Sequence, residues 1–424
     1  MPGVIISAPT SGSGKTIITL GILRALARMG VAVRGAKSGP DYIDPRFLEA
    51  ACGKQCMNLD AWAMSPDRIK TLAATEEFLI VEGAMGLFDG APPDGKGATA
   101  DLARILGLPV VLVVDSRRMA QSIAPLVLGF ANHDPMVKIA GVVLNHCGSI
   151  RHENMLRKAL NDRVIKVLGT VARNSDLTQP SRHLGLVQAQ ERPDLDAFLD
   201  TVADVVEDCI DLAAIQQLAK PLPTPRDPVR LSPPAQKLAV ANDQAFAFSY
   251  PHILADWQNM GAEIQFFSPL NDEAPPPADR IFLPGGYPEL YAGKISNNQN
   301  FIQNIKNAAL DTVIYGECGG YMTLGERLID ADGRSHQMAG LLPLETSFAD
   351  RKLHLGYRKL SAIYGPFQGT YMGHEFHYAT TLRADGTPLF AAQDAEGTQL
   401  APMGLAKGNV YGSFAHIIDR DHGS

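Results

Sequence analysis

The feature that most constrains the fold is a short apolar run, Val4–Ser7, that leads through a glycine-rich segment into apolar residues at helical spacing, Ile17–Met29. The segment between them, residues 9–16, reads PTSGSGKT. A strand, a glycine-rich turn and a helix in this order are typical of phosphate-binding loops in α/β folds. The first residues therefore predict a nucleotide-binding α/β domain.

We expect this loop to bind the phosphates of ATP. In such loops the backbone N–H groups hold phosphate, the lysine neutralises its charge and the following hydroxyl ligates Mg²⁺. The candidate ATP-binding residues are Ser11, Gly12, Ser13, Gly14, Lys15 and Thr16. The match is complete only at Gly14-Lys15-Thr16, because Pro9 stands where a glycine is usual. A glycine-rich turn that binds nothing is the alternative.

Further apolar runs predict an open parallel sheet in the first half. They are Val31–Arg34, Phe78–Val81, Val110–Val114 and Ile139–Leu144, and the stretches between them are long enough for helices. Parallel strands need such crossover connections. We predict an α/β domain with a parallel sheet.

Polar residues follow these strands, where ligands bind in an open parallel sheet. The candidate Mg²⁺ ligands are Thr16, Glu82 and Asp41. The candidate substrate residues are Asp41, Tyr42, Asp44 and Asp89. Lys37 is expected to act on the transferred phosphoryl group of ATP and Asn145 to contact adenine. A turn or helix-cap role is the alternative for each acid and for Asn145.

A proline-crowded stretch, PLPTPRDPVRLSPPAQ at residues 221–236, separates the two halves. Proline lacks a backbone donor and breaks helices and central strands. With 424 residues, two domains are expected. We predict a P-loop ATP-binding domain at 1–220, a linker at 221–236 and a second α/β domain at 237–424.

In the second half, a strand predicted at Thr312–Tyr315 runs into Gly316-Glu317-Cys318-Gly319-Gly320. A cysteine on a sharp strand-to-helix turn is typical of a nucleophile, and a helix N-terminus is expected to lower the pKa of its thiol. A buried packing cysteine is the alternative. Other strands are predicted at 237–241, 264–267 and 280–283.

Two more kinds of residue could serve this cysteine. The backbone N–H groups of Gly286 and Gly319 are suited to an oxyanion hole. The general base could be His416, but His374 and His377 compete for the role, and a lone histidine is more often structural.

Composition excludes several classes of protein. A net charge of −7 gives no basic footprint for nucleic acid. Five scattered cysteines form no disulfide framework and fit the cytoplasm. The N-terminal apolar run is too short for a signal peptide or a membrane span. We expect a cytoplasmic protein that binds neither nucleic acid nor membrane.

Together the motifs resemble those of the corrin-pathway a,c-diamide synthases, glutamine amidotransferases that act on cobyrinate or hydrogenobyrinate. The resemblance covers nearly the whole chain, through residues 11–16, 39–45, 81–83, 283–289, 317–320 and 373–378. It implies an N-terminal domain similar to dethiobiotin synthetase and a C-terminal class I glutamine amidotransferase domain. It also implies MgATP, L-glutamine and a corrinoid as partners. The implied product carries amides at the a and c side chains.

The resemblance assigns Cys318 as the nucleophile and His416 as its base. One departure stands out, since the wider class I pattern is His-x-Glu and His416 is followed by Ile417-Ile418-Asp419. Either the third member is missing or Asp419 substitutes for it. The chemistry that is implied uses ATP to make an acyl phosphate, which ammonia from glutamine then displaces.

Two other functions remain open from the sequence. One is amidation of another tetrapyrrole, such as nickel sirohydrochlorin. The other is a nucleotide-dependent switch with an inactive amidotransferase module. Whether the corrin ring carries cobalt, which carboxylate reacts first and whether the chain forms a homo-oligomer are not decided by the sequence.

Overall fold

The chain consists of two compact units that divide between residues 229 and 230. The structure, a computed structural model, describes residues 2–174, 177, 181–182, 185–186, 188–225 and 229–421. Residues 226–228 of the predicted linker, and the outermost residues of both predicted domains, lie outside the described part. The two units are described separately below.

The first unit alternates strands and helices. Its elements are β1 (Pro2–Ser7), α1 (Lys15–Arg28), β2 (Val33–Ser38), α2 (Asp44–Cys52), β3 (Met57–Leu59), α3 (Pro66–Ala73), β4 (Phe78–Glu82), α4 (Thr99–Leu106), β5 (Val110–Asp115), α5 (Ile123–His133), β6 (Ile139–Cys147), α6 (Ile150–Asn161), β7 (Val167–Ala172), β8 (Ser181–Arg182), β9 (Gly185–Leu186), α7 (Leu195–Cys209), α8 (Leu212–Leu218) and β10 (Lys220–Pro221).

Seven of these strands form a sheet path in the order β3-β2-β4-β1-β5-β6-β7, and every pair along that path is parallel. Strand β10 pairs with β1, and β8 and β9 pair with each other. The predicted parallel sheet is confirmed. Strands β1, β4 and β5 are almost wholly buried, as expected where helices cover both faces of a sheet. The second strand begins two residues later than predicted and continues to Ser38, which places Lys37 inside it.

Helix α1 fixes the loop before it by packing into this core. Its residues Ile18, Ile22 and Leu26 recur every four positions and are fully or almost fully buried. Burying each such side chain contributes about 1.5–3 kcal/mol. On the same helix, Gly21 lies against α7, since a methyl group there would come within 2.4 Å of Val206.

The predicted linker starts as part of the first unit. Strand β10 pairs antiparallel with the start of β1, with Pro221 opposite Pro2. Further on, the carbonyl of Val229 accepts a hydrogen bond of 2.7 Å from Arg68. The N–H of Leu231 donates to Asp256 of the second unit at 2.9 Å. Thus Pro221 and Val229 are held to the first unit and Leu231 to the second.

The second unit begins as an α/β sheet and then becomes rich in short strands. Its elements are β11 (Lys237–Ala241), α9 (Pro251–Asn259), β12 (Glu263–Phe267), β13 (Arg280–Leu283), α10 (Ala292–Asn297), α11 (Gln299–Ala308), β14 (Val313–Glu317), α12 (Gly319–Leu324), β15 (Arg327–Ile329), β16 (Ser335–Gln337), β17 (Leu344–Ser347), β18 (His354–Ala362), β19 (Thr370–His377), β20 (Thr380–Ala384), β21 (Phe390–Gln393), β22 (Leu405–Lys407), β23 (Val410–Ser413) and β24 (Ala415–Arg420).

The main sheet of this unit has the order β12-β11-β13-β14-β23-β22, and only β22 runs antiparallel to its neighbour. The four strands predicted from the sequence are all in it. Two further sheets, β16-β15-β17-β20 and β21-β18-β19-β24, are largely antiparallel and were not predicted. Strand β24 carries His416 and β19 carries His374, so these sheets contribute to the site described below.

Across the described residues, no helix has the length and apolar character needed to cross a membrane.

Candidate active sites

The phosphate-binding loop is fixed by a glycine and an asparagine. Gly14 ends the loop with φ +87°, a left-handed conformation that favours glycine. The side-chain amide of Asn145, at the end of β6, donates a hydrogen bond of 3.0 Å to the carbonyl of Ser13. A methyl group at Gly14 would lie 2.2 Å from that amide nitrogen. Asn145 therefore supports the loop, and its contact with adenine stays a prediction.

Two lysines lie beside this loop. Lys37 is buried, with its Nζ 2.5 Å from Oδ2 of Asp44 and 3.0 Å from Oε1 of Glu82. Burial alone would lower the pKa of Lys37, but Asp44, Glu82 and Asp41 outweigh burial and raise it. Burial, with a contribution from Lys37, lowers the pKa of Lys15. The structure thus brings Lys15 and Lys37 to the carboxyl ends of β1, β2 and β4.

Glu82 ends β4 within reach of Thr16. The hydroxyl of Thr16 donates a hydrogen bond to Oε1 of Glu82. The other oxygen of Glu82 and Oδ1 of Asp44 are buried and have no hydrogen-bond partner among the described residues. Buried carboxylate oxygens are hard ligands of the kind that Mg²⁺ prefers. These residues therefore fit a metal ion beside the loop.

The remaining predicted substrate residues lie in turns near this cluster. Oδ1 of Asp41 accepts hydrogen bonds from the N–H groups of Ile43 and Asp44 at 2.7 and 2.9 Å, so it caps the start of α2. Tyr42 is buried in the same turn. Asp89 is exposed, and its carboxylate accepts a hydrogen bond from the N–H of Gly86 at 2.9 Å. A turn role is thus visible for Asp41 and Asp89, and their substrate roles stay predictions.

In the second unit, Cys318 stands on the sharp turn between β14 and α12. Its φ of +44° and ψ of −101° are strained for a residue with a side chain, as at a nucleophile elbow. The N–H of Cys318 donates to the carbonyl of Ser413 at 2.8 Å, and its own carbonyl accepts from Met322 at 3.0 Å. These bonds fix the turn between the two elements.

The expectation of a lowered thiol pKa is wrong for the resting structure. Burial raises the pKa of Cys318, and the nearby carboxyl of Glu289 adds to the increase. The backbone N–H of Gly319 opposes these effects but is outweighed. The thiol therefore needs a base to take its proton.

His416 and Cys318 both lie against Gly285. A methyl group at Gly285 would be 2.9 Å from Nε2 of His416 and 3.2 Å from Cβ of Cys318. The imidazole is fully buried, which lowers the pKa of His416 to about 3. It is therefore neutral at physiological pH, as a general base must be.

Glu317, which sequence reasoning did not select, is also in this site. Its Oε2 lies 3.6 Å from Nδ1 of His416, and its Oε1 accepts a hydrogen bond from the N–H of Ile417 at 3.0 Å. Burial raises the pKa of Glu317 to about 8. In the sequence, only the position of Glu317 directly before Cys318 pointed to a role in this site. The pairing of β14 with β23 is what brings Glu317 to the histidine.

The backbone amides predicted for an oxyanion hole approach each other. A methyl group at Gly319 would lie 3.0 Å from the backbone nitrogen of Gly286. Both residues therefore lie beside Cys318, although their role stays a prediction.

The competing histidines lie on β19. His374 is paired with His416 across the strands, and burial lowers the pKa of His374 to about 4. Nε2 of His377 forms a hydrogen bond of 2.8 Å with Oε1 of Glu375. The other carboxylate oxygen of Glu375, Oε2, is 2.7 Å from the guanidinium group of Arg358. His354, Glu375 and His377 are grouped closely enough for a metal ion. However, Arg358 already neutralises the carboxylate, so an ion pair explains this group.

Comparisons with known proteins agree with this arrangement. Residues 4–187 match the family model described as the CobQ/CobB/MinD/ParA nucleotide binding domain, and residues 237–422 match the CobB/CobQ-like glutamine amidotransferase domain. A hydrogenobyrinate a,c-diamide synthase from Brucella anthropi is 53% identical, with 99% of each chain covered. The chain belongs to the hydrogenobyrinate a,c-diamide synthase family.

Other members of this family are almost as similar. The protein of that name from Rhizobium meliloti is 51% identical over 99% of both chains, and the one from Rhodobacter capsulatus is 48% identical over 98% of both. The predicted family and the predicted two-part fold, a P-loop domain followed by an amidotransferase domain, are thereby confirmed.

Proposed function

We propose that this protein amidates the a and c side-chain carboxylates of hydrogenobyrinate, with ATP as the activating substrate and L-glutamine as the nitrogen donor. The observation that carries the proposal is the presence, in one chain of this family, of both a phosphate-binding cluster and a cysteine–histidine pair. The first activates a carboxylate and the second releases ammonia. Such an enzyme acts in the cytoplasm, where ATP and glutamine are available.

In the first unit, the residues around the loop hold and transfer the γ-phosphoryl group. The loop amides bind the phosphates, and Lys15 and Lys37 stabilise the negative charge of the transferred group. The substrate carboxylate attacks that group and forms an acyl phosphate, with ADP as the leaving group. Thr16 and Glu82 would hold Mg²⁺, which when bound neutralises charge on the phosphates.

In the second unit, the thiol of Cys318 gives its proton to Nε2 of His416 and attacks the carboxamide carbon of glutamine. The N–H groups of Gly286 and Gly319 bind the oxyanion that forms. His416 returns the proton to the departing ammonia, and water then hydrolyses the thioester to glutamate. Ammonia displaces phosphate from the acyl phosphate and yields the amide.

Turnover with purified protein tests this proposal. With ATP, Mg²⁺ and glutamine labelled with ¹⁵N at the amide, hydrogenobyrinate should acquire two labelled nitrogens by mass spectrometry. Cobyrinate and nickel sirohydrochlorin should be tested in parallel. If only the nickel compound were amidated, or if no tetrapyrrole were, the proposed substrate would be wrong.

The variant Lys15→Ala tests the first activity, and Lys158→Ala is its matched control. Lys15→Ala should lose amidation with glutamine and with ammonium salt alike, because both need the acyl phosphate. Lys158→Ala, which removes an exposed ion pair on α6, should keep both activities. Near-normal ammonia-dependent synthesis by Lys15→Ala would exclude the role given to Lys15.

A further inference from the structure

The cysteine–histidine pair lacks a glutamate two residues after the histidine, where Ile418 stands. We propose that Glu317, the residue directly before the nucleophile, is the positioning and charge-compensating partner of His416. This inference rests on the proposed glutaminase activity. It assigns the third group of the site to β14 rather than to the strand that carries the histidine.

The position of Glu317 follows from strand pairing. Glu317 ends β14 opposite Ser413 of β23, and the chain reaches His416 three residues later. One carboxyl oxygen accepts the N–H of Ile417, which fixes the side chain against β24. The other oxygen is 3.6 Å from Nδ1 of His416, longer than a hydrogen bond but within reach of an ion pair once the imidazole is charged.

Asp419, the alternative from the sequence, is placed differently. It is buried on β24, and its Oδ1 accepts the N–H of Arg420 at 2.8 Å. Because Ile418 is an extra residue at a β-bulge, Asp419 is paired with Met372 and His416 with His374, so both side chains leave the same face and Asp419 lies farther along β24. Asp419 therefore serves as the comparison residue in the test.

The charges of the site explain why a carboxyl group is useful here. At rest Cys318 and His416 are uncharged, because burial disfavours both ions. When Cys318 transfers its proton to Nε2, the imidazolium is a buried cation and needs a counter-charge. Glu317 supplies it by releasing its own proton to solvent, so the site carries thiolate, imidazolium and carboxylate.

A cavity gives that proton an exit. Glu317 lines a cavity of about 280 Å³ within the second unit, together with Tyr315 and Arg280. Other titratable or charged groups lie near the three site residues Glu317, Cys318 and His416 or line the same cavity. They are Tyr315, Tyr371, Arg280, Arg420, Glu289, Glu375, His374 and His377.

The backbone of Phe248 is a second polar group that acts on the histidine. The imidazole is fully buried, so we expect it to keep its place in the fold when Glu317 is changed. The specific contribution of Glu317 is then its negative charge. Its removal should reduce thiol activation more than it disturbs glutamine binding.

The decisive variants are Glu317→Gln and Glu317→Asp, with Asp419→Asn as the matched control. Glu317→Gln keeps an acceptor for Ile417 but cannot become negative. Its kcat for glutamine hydrolysis should fall on the order of 10²- to 10⁴-fold, as in other triads that lose this charge. KM for glutamine and ammonia-dependent amidation should change little. Asp419→Asn should keep its kcat.

The pH dependence of Cys318 alkylation by iodoacetamide separates a charge role from a structural one. In the wild type the rate should rise with a midpoint near pH 8, the pKa of Glu317. In Glu317→Gln, alkylation of Cys318 should be slow and its rate should lack this rise. In Glu317→Asp, the rate should still rise, with a shifted midpoint. Measuring the Glu317→Asp profile covers the case in which Glu317→Gln does not fold.

Three outcomes would overturn the proposal. They are a wild-type kcat and alkylation profile in Glu317→Gln, loss of both in Asp419→Asn, or an alkylation rise in Glu317→Gln with its midpoint unchanged. A wild-type protein that released no glutamate from glutamine would instead contradict the proposed function. The two failures are therefore distinguishable.

Discussion

The carboxylate of Glu82 lies 3.0 Å from the ammonium group of Lys37, and both side chains are buried at adjacent strand ends. Asp44 contacts the same ammonium group from the start of α2. Three titratable side chains therefore share a buried site. Such a site depends on each member, because removal of one leaves the others buried without a counter-charge.

Lys37→Met should therefore destabilise the first unit strongly. We expect a loss of about 3–5 kcal/mol in the free energy of unfolding, since Asp44 and Glu82 would remain unpaired. Lys54→Met is the control, because the pair of Lys54 with Glu77 is exposed and is worth at most about 1 kcal/mol. Urea denaturation of both variants checks this, and equal losses would contradict it.

The acids near the loop should differ in importance. Glu82→Gln and Asp44→Asn remove charge from the buried cluster and should change both turnover and the Mg²⁺ concentration needed for half-maximal rate. Asp89→Asn should have a small effect, because Asp89 is exposed and keeps an acceptor for Gly86. The effect of Asp41→Asn on turnover and Mg²⁺ dependence should be intermediate between these two. If all four variants kept wild-type turnover and Mg²⁺ dependence, these acids would have only turn roles.

Cys318→Ala should separate the two activities. It removes the atom that forms the thioester, so glutamine-dependent amidation should fall by several orders of magnitude. Synthesis from a high concentration of ammonium salt should persist, because it does not need the thiol. His416→Ala should show the same separation. Loss of ammonia-dependent synthesis in a folded Cys318→Ala protein would mean that the two sites are not separable.

Glu289 should make the stability of the second unit depend on pH. Burial raises the pKa of Glu289 from its usual value of 4.5 to about 8. The folded state then binds more protons than the unfolded state between these values, so stability falls as pH rises through that window. The slope for one group is at most about 1.4 kcal/mol per pH unit.

Glu289→Gln removes this titration. Its unfolding free energy relative to the wild type should therefore increase from pH 5 to pH 8 and level off above that. Glu263→Gln, which changes an exposed acid on β12, is the control for the loss of a surface carboxyl group. Urea denaturation at several pH values measures both. A constant difference for Glu289→Gln would show that this carboxyl is not buried in solution.

Much of the fold was predictable because local sequence determined it. The run from Val4 to Thr16 specifies strand, turn and helix within a few residues, and the prolines after Pro221 mark the boundary region. Strands β15–β24 were missed, since many of these partly exposed segments lack a clear apolar alternation. Cross-strand partners, rather than local pattern, hold them in place.

The sites were predictable in part for the same reason. Lys15 and Cys318 stand in motifs whose local geometry is encoded nearby, and they lie at the start of α1 and on the turn before α12. The contact of Glu317 with His416 depends on the pairing of distant strands, and the raised thiol pKa depends on burial in three dimensions. The support that Asn145 gives to Ser13 also links residues far apart in sequence.

The pairing of β14 with β23 has a consequence for how this site tolerates change. The hydrogen bond from Cys318 to Ser413 joins the nucleophile to the end of β23, three residues before His416. The stretch of chain between residues 325 and 404 could therefore gain or lose residues in its loops without separating the reacting groups. By contrast, a single deletion between Ser413 and His416 would turn the imidazole to the opposite face of its strand and away from the sulfur.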